Sequence, residues 1–306
     1  MFICRRLLVP LDGSALAERA ISPAFAIARS LDNDTPCTLH LFRVVPPLLM
    51  TIDPTLYAET LSFAEEEARE YLLAIQNEWE SDQTPAVAEV ETGPVAESII
   101  HYAQKKQINL IVMSSHGRSG IGRWVYGSVA EKVMRQACCA TLIIRQPKEA
   151  APLDTFRHIL VCLDGSTLAE QVLTPILVLS RTMRAQVTFL RVVPPSHMAV
   201  ETLALEQFLE QVEKIEQHNA KIYLSQLLKC LPTGDSPIHL EVVMGPPAES
   251  IIDYAQENDV DLIAMSSHGR SGLSRWVYGS VAEKVLRGAS CSTFIIRGEE
   301  EPVAGQ

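Results

Sequence analysis

The sequence predicts an α/β protein made of two similar domains, each with a parallel sheet covered by helices. Three observations support this prediction. The 306 residues are enough for two domains of the usual ~150 residues each. The second half repeats the first at an offset of 152 residues, and Met113–Val133 matches its counterpart at 19 of 21 positions. Each half alternates β-rich apolar runs with amphipathic runs, an order that forms a parallel sheet with right-handed crossovers.

The elements of the first half follow in order. The near-continuous apolar run RLLVPLD is typical of a strand buried on both faces, and the apolar spacing of ALAERAISPAFAIARSL suits a helix. The second strand, TLHLFRVV, precedes a long acidic helix from about Thr55 to Glu80 and a third strand, AVAEVETG. A helix starting at Pro94, a favoured first helical position, leads to the fourth strand, INLIVMSS. A helix from Ser128 and the strand ATLIIR complete the half.

The repeat also predicts the domain boundaries. We expect domains at 1–147 and 156–298, a linker at 148–155 that contributes little to either core, and an acidic tail at 299–306. Because the halves are alike, they are predicted to pack as a pseudo-two-fold pair that mimics a homodimer. A further homodimer of the whole chain is left open.

Composition excludes several classes of partner. A net charge of -11 argues against binding to nucleic acid, because phosphate backbones are held by clustered lysine and arginine. No apolar run approaches the ~20 residues that span a bilayer, and the opening apolar run is too short for a secretory signal. The seven cysteines show no paired C-x-x-C spacing, so neither a disulfide framework nor a zinc site is expected. These features predict a cytoplasmic protein without a membrane partner.

Two repeated motifs follow strands whose carboxyl ends should meet at one edge of the sheet, where ligands bind in such folds. LDGS follows the first strand and SSHGRSG the fourth. Gly117 permits a loop whose N–H groups face phosphate oxygens, and Gly127 with Ser128 opens a helix with a positive dipole end. Together they predict a nucleotide cradle, although no P-loop, Rossmann G-x-G-x-x-G or G-x-S-x-G motif is present.

Other interpretations compete at single residues. Ser128 and Glu131 have the spacing of a capping box, which needs no ligand. Asp12 and Asp164 either cap the following helix or lie beside a ribose or metal.

The loop residues leave similar alternatives. His116 is more readily a loop-structuring residue than a catalytic one. Arg118 contacts phosphate or is simply solvated.

At these residues the chain resembles the universal stress protein family in a tandem two-domain form, over essentially both halves. ATP-binding members carry G-x2-G-x9-G-[S/T] after the fourth strand. Here Ser114 replaces the first glycine and is followed by Gly117, Gly127 and Ser128. The resemblance implies two Rossmann-like domains, of the adenine nucleotide alpha hydrolase-like type, each with a five-stranded parallel sheet in the order 3-2-1-4-5.

The resemblance also implies that each half binds ATP, with Mg²⁺, at the carboxyl edge of its sheet. The implied ligand-binding residues are Asp12, Val44, Met113, Ser114, Gly117, Arg118, Gly127, Ser128 and Val129 in the first half, and Asp164, Val192, Met265, Ser266, Gly269, Arg270, Gly279, Ser280 and Val281 in the second. Val44 and Val192 would meet adenine through their backbone, and the residues after the fourth strand would hold ribose and phosphates.

Three functions follow as hypotheses. The first is a stress-response protein in which ATP occupancy biases an interaction, with at most slow hydrolysis because no general base or nucleophile is identifiable. The second is an interaction module that works without nucleotide. The third is an adenylyl or phosphoryl transferase that uses His116 and His268.

Overall fold

The computed structural model describes residues 4–30, 36–47, 53–81, 84–115, 127–145, 155–195, 203–232, 236–267 and 279–297. The chain divides into two units, Met1–Thr155 and Phe156–Gln306. The first contains β1 (Arg6–Pro10), α1 (Ala15–Glu18), α2 (Ile21–Ser30), β2 (Thr38–Val45), α3 (Pro54–Trp79), β3 (Ala86–Thr92), α4 (Val95–Lys105), β4 (Leu110–Ser114), α5 (Ser128–Gln136) and β5 (Ala140–Ile144). The second contains β6 (His158–Cys162), α6 (Thr167–Glu170), α7 (Leu173–Met183), β7 (Gln186–Val193), α8 (Leu203–Cys230), β8 (Ile238–Met244), α9 (Pro247–Glu257), β9 (Leu262–Ser266), α10 (Ser280–Gly288) and β10 (Ser292–Ile296).

Each unit has a parallel sheet of five strands. The order in the first unit is β3-β2-β1-β4-β5, and the corresponding order in the second is β8-β7-β6-β9-β10. Every pairing within these two series is parallel. The α/β class and the 3-2-1-4-5 order expected from the sequence are therefore confirmed.

The first strand of each unit lies at the centre of its core. Leu7, Leu8 and Val9 of β1 are completely buried, as are their counterparts in β6. Such strands are hydrophobic on both faces because helices cover both faces of a parallel sheet. Neither strand carries a polar residue inside this run. The first charged residue after it is Asp12 in the first unit and Asp164 in the second.

The first predicted helix is divided in two. α1 ends at Glu18, and α2 begins at Ile21. Pro23 lies in the first turn of α2 and has no N–H, so it cannot bond the carbonyl four residues earlier that a continuous helix would require. Pro175 occupies the same place in α7. The amphipathic pattern correctly predicted helical residues but not this break.

Within the described ranges, no helix is both long enough and apolar enough to cross a bilayer.

Candidate functional site

A bend after β1 places the Asp12 carboxylate at the edge of the sheet. Asp12 Oδ1 accepts hydrogen bonds from the backbone N–H of Ser14 at 2.9 Å and from its hydroxyl at 2.6 Å. Ser14 Oγ in turn accepts from Ala17 N at 3.2 Å and caps α1. Gly13 has a φ of 81°, a backbone conformation that glycine adopts without strain. Asp12 therefore supports the cap rather than forming it.

The start of α5 is tied to the end of β4 through backbone bonds. Gly127 N donates to Ser115 O at 3.0 Å, and Ser115 N donates to Ile144 O at 3.2 Å. Gly127 is the N-cap and makes no side-chain cap bond, while Ser128 is the first helical residue. The capping-box interpretation of Ser128 and Glu131 was therefore wrong. A glycine has no side chain to satisfy the N–H groups of the first turn, which a ligand can satisfy instead.

The carboxyl end of β2 forms the other side of this region. Leu11 N, just after β1, donates to Phe42 O at 2.8 Å, so the two strand ends stay together. Beyond this bond lie Arg43 and Val44. Val44 is one of the residues predicted to meet the ligand.

These elements enclose a cavity of about 530 Å³, a volume typical of small-molecule sites. It is lined by all seven predicted site residues of the first half that the structure describes: Asp12, Val44, Met113, Ser114, Gly127, Ser128 and Val129. The sequence placed these residues far apart in the chain. The parallel sheet brings them together because the carboxyl ends of β1, β2 and β4 share one edge.

Three charged residues line the cavity among those described: Asp12, Arg43 and Glu67. Arg43 Nη2 lies 4.0 Å from Glu67 Oε1, and the Arg43 side chain is only 11% exposed. All three lie on the side of β1, β2 and α3. The side formed by β4 and α5 presents hydroxyls and backbone instead, so the cavity has one charged end and one end built for an anion.

The second unit places its predicted residues at the same points of its fold. Asp164 Oδ1 accepts from Ser166 N at 2.9 Å and from Ser166 Oγ at 2.6 Å. Gly279 N donates to Ser267 O at 2.9 Å, and Gly279 is an N-cap without a side-chain bond. The remaining predicted residues lie in β7, at the end of β9 and in the first turn of α10: Val192, Met265, Ser266, Ser280 and Val281.

Ser266 ends β9 with a buried hydroxyl. Among the described residues, this hydroxyl has no hydrogen-bond partner. An unsatisfied buried hydroxyl costs about 1 to 3 kcal/mol. A ligand group that bonds Ser266 would remove this cost.

Part of the predicted site lies outside the described residues. These positions are Gly117, Arg118, Gly269 and Arg270, together with His116 and His268 of the transferase hypothesis.

A bound Mg²⁺ would need oxygen ligands, which this region supplies sparingly. Among the described residues, no group of three or more histidine, cysteine, aspartate or glutamate side chains converges to hold a metal. Mg²⁺ usually keeps several waters and binds one or two carboxylates together with substrate phosphates. Asp12 fits that limited role, so the site suits a metal that arrives with a phosphorylated ligand.

Several cavity residues were missed from the sequence. They come from β2 and from the helices α3 and α4: Arg43, Glu67, Ala64, Val95 and Ile99. The repeat RVVPP, present in both halves, could have pointed to Arg43. The α3 residues gave no such signal, because Ala64 and Glu67 are replaced by Glu216 and Asn219 at the equivalent positions of α8.

Comparison with known proteins gives consistent matches. The family model for the universal stress protein family matches residues 4–145 and 155–297. A universal stress protein of Methanocaldococcus jannaschii is 29% identical over 147 residues, covering 47% of this chain and 84% of that protein. One from Mycolicibacterium smegmatis is 22% identical over 298 residues, covering 95% of this chain and 96% of that protein.

A solved structure supports the fold over nearly the whole chain. The crystal structure of a universal stress protein from Archaeoglobus fulgidus superposes with a TM-score of 0.66 at 18% identity, covering 96% of this chain and 98% of that one. At this identity the likeness concerns the fold alone.

Proposed function

The chain belongs to the universal stress protein family, and from that premise we propose that each unit binds ATP with Mg²⁺ and that its occupancy biases an interaction in a stress response. One observation carries the proposal. Seven residues selected from the sequence line a single cavity of about 530 Å³ at the carboxyl edge of the first sheet. That edge is where nucleotides bind in open α/β sheets.

The charges of the cavity favour one orientation of the nucleotide. The phosphates belong at the start of α5, where Gly127 leaves the first-turn N–H groups without a side-chain cap and the helix dipole attracts anions. Glu67 on α3 would repel phosphates at the opposite end, whereas Asp12 follows β1, which lies between β2 and β4, and can share a Mg²⁺ ion bound to the phosphates. The uncharged base therefore belongs near Val44 and β2.

In the second unit, Ser266 supports a ligand at the equivalent place. Its buried hydroxyl has no partner within the described ranges and lies at the end of β9, which is bonded through Ser267 O to Gly279 N at the start of α10. A phosphate oxygen accepting from this hydroxyl would satisfy it. The serine that replaces glycine in this motif is thus compatible with binding.

The direct experiment is to purify the protein without added nucleotide, denature it and identify the released small molecules by mass spectrometry. Up to two ATP molecules per chain are expected. If none is carried through purification, calorimetric titration with ATP and Mg²⁺ should show saturable binding. A flat titration at millimolar ATP would refute nucleotide binding and leave the nucleotide-independent interaction module as the better hypothesis.

A further inference from the structure

Arg43 belongs to an assembly that joins three elements beside the first cavity. Its guanidinium carbon lies 5.0 Å from the centre of the Tyr71 ring, within cation–π range. The Tyr71 hydroxyl donates to Glu18 Oε1 at 3.0 Å. Burial, followed by this bond to Glu18, raises the pKa of Tyr71, so the hydroxyl stays protonated as the donor. β2, α3 and α1 are thereby fixed around the arginine.

The second unit has the same residue types at the equivalent positions, and Arg191 interacts electrostatically with Tyr223. The Tyr223 hydroxyl donates to Glu170 Oε1 at 2.9 Å. Arg191 takes the place of Arg43, is buried, and donates through Nη1 to Leu163 O at 3.3 Å. An arrangement of arginine, tyrosine and glutamate therefore occurs in both halves.

A comparison of α3 with α8 indicates that Tyr71 has a role besides helix packing. Only three of the 26 positions of α3 carry the same residue 152 positions later: Ala68, Tyr71 and Leu72. Ala68 and Leu72 are completely buried, and their counterparts in α8 are buried as well, so core packing explains them. Tyr71 is half-buried and is instead bonded to the assembly that holds the arginine.

The position of Arg43 determines which part of a nucleotide it can meet. β2 lies two strands from β4 in the sheet, which is about 10 Å at the usual spacing of neighbouring strands. The start of α5 is bonded to Ser115 at the end of β4, so a phosphate seated there lies on the side of the cavity away from β2. A phosphate placed at Arg43 itself would lie beside the Glu67 carboxylate, whose Oε1 is 4.0 Å from Arg43 Nη2.

We infer that Arg43 is a further ligand-contacting residue of the first site and that its guanidinium stacks against the nucleobase, with Tyr71 and Glu18 as positioning residues. The Tyr71 ring covers one face of the guanidinium, and the base covers the other. Planar guanidinium groups stack well on aromatic rings, which lysine cannot do. This inference rests on the proposed function because it requires a nucleotide in the cavity.

The test compares ATP with adenosine, which has the base and ribose but no phosphates. Both are titrated into the full chain and into Arg43→Met, with adenosine measured by competition against ATP. The dissociation constant at the first site should rise between about threefold and thirtyfold for both ligands. Arg43→Lys should show most of the same loss because it keeps the charge but not the plane.

The control is Arg69→Met on α3, an exposed arginine outside the cavity, which should leave both affinities unchanged. Circular dichroism of each variant checks that the fold is intact. If Arg43→Met weakens ATP but not adenosine, the residue contacts phosphate and the stacking inference is overturned. Unchanged affinities for both ligands overturn it as well. Failure of the unmodified protein to bind ATP would instead refute the proposed function.

Discussion

His40 shows how a single buried side chain can make stability depend on pH. It lies on β2, is 7% exposed, and its Nδ1 is 2.9 Å from the hydroxyl of Tyr102. Burial lowers the pKa of His40 below its ordinary value of 6.5; Glu89 opposes this shift, while Lys106 and Arg6 reinforce it. The folded protein thus binds this proton less readily than the unfolded chain.

We predict that this histidine destabilises the protein as the solution becomes acidic. Its contribution is fully present above pH 6.5 and is lost as the pH falls toward the lower folded pKa, with a slope of at most about 1.4 kcal/mol per pH unit. His40→Gln should make the free energy of unfolding less dependent on pH in this window. Urea unfolding followed by circular dichroism between pH 5 and 7.5 measures the effect.

His101, exposed on α4, provides the control for this experiment. His101→Gln changes the same residue type without removing a buried group. Because His40 is intact in this variant, the pH dependence that His40 causes should persist. Equal profiles for His40→Gln and the unmodified protein would show that His40 does not cause the pH dependence.

At the scale of elements, the Ser98 hydroxyl occupies the space that a side chain on Gly93 would need in the turn before α4. A Cβ on Gly93 would lie 2.7 Å from the hydroxyl oxygen of Ser98. Gly245, before α9, would bring a Cβ to 2.4 Å from Ser250 Oγ and also has a φ of +156°. The first glycine is therefore constrained by space alone, and the second by space and backbone conformation together.

This difference predicts which glycine substitution can be rescued. Gly93→Ala should lower the free energy of unfolding by about 1 to 3 kcal/mol, the usual cost of overpacking. Adding Ser98→Ala removes the clashing atom and should restore most of that loss. Gly245→Ala should remain destabilised even with Ser250→Ala, because its strained backbone persists. Thermal unfolding of the four variants decides the matter, and equal rescue at both glycines would contradict it.

A second prediction at this scale concerns the effect of a negative charge at the start of α5. Ser128→Asp places a negative charge at the first helical residue, where it interacts favourably with the positive end of the helix dipole. The free energy of unfolding of the nucleotide-free protein should therefore stay equal or rise slightly. The same charge repels phosphates, so ATP affinity at the first site should fall about tenfold or more. Calorimetric titration measures the affinity. Tighter or unchanged ATP binding would contradict the placement of the phosphates at the start of α5.

The elements also show which parts of the architecture follow from the sequence. Continuous apolar runs placed β1 and β4 because strands buried on both faces need no alternation. The break before α2 was missed because amphipathic spacing is the same on both sides of it. Asp12, Gly127 and Ser128 were predicted from the motifs that follow β1 and β4, and the family resemblance implied Val44, Met113, Ser114 and Val129. Glu67 was not predicted, because the face of α3 that meets β2 depends on packing rather than on local sequence.

At the scale of the whole molecule, the repeat allows each unit to be compared with the other. Both halves contain the bend after the first strand, the uncapped helix start and the arrangement of arginine, tyrosine and glutamate. They differ where Ala64 and Glu67 are replaced by Glu216 and Asn219. Because of the shared features, we expect both units to bind nucleotide. The differences should give the two sites different dissociation constants.

The last prediction therefore concerns how occupancy divides between the units. At an ATP concentration near the dissociation constant of the unmodified protein, Ser128→Asp and Ser280→Asp should each remove most of the occupancy of their own site, and the double variant should lose most of the binding at both sites. Because a ligand stabilises only the state that binds it, ATP at 100 times its dissociation constant adds about 2.7 kcal/mol per independent site. A tenfold loss of affinity lowers the contribution of a site to about 1.4 kcal/mol, so the ATP-induced rise in melting temperature should shrink in each single variant and fall to about half in the double variant. A full rise in the double variant would place the nucleotide elsewhere in the molecule.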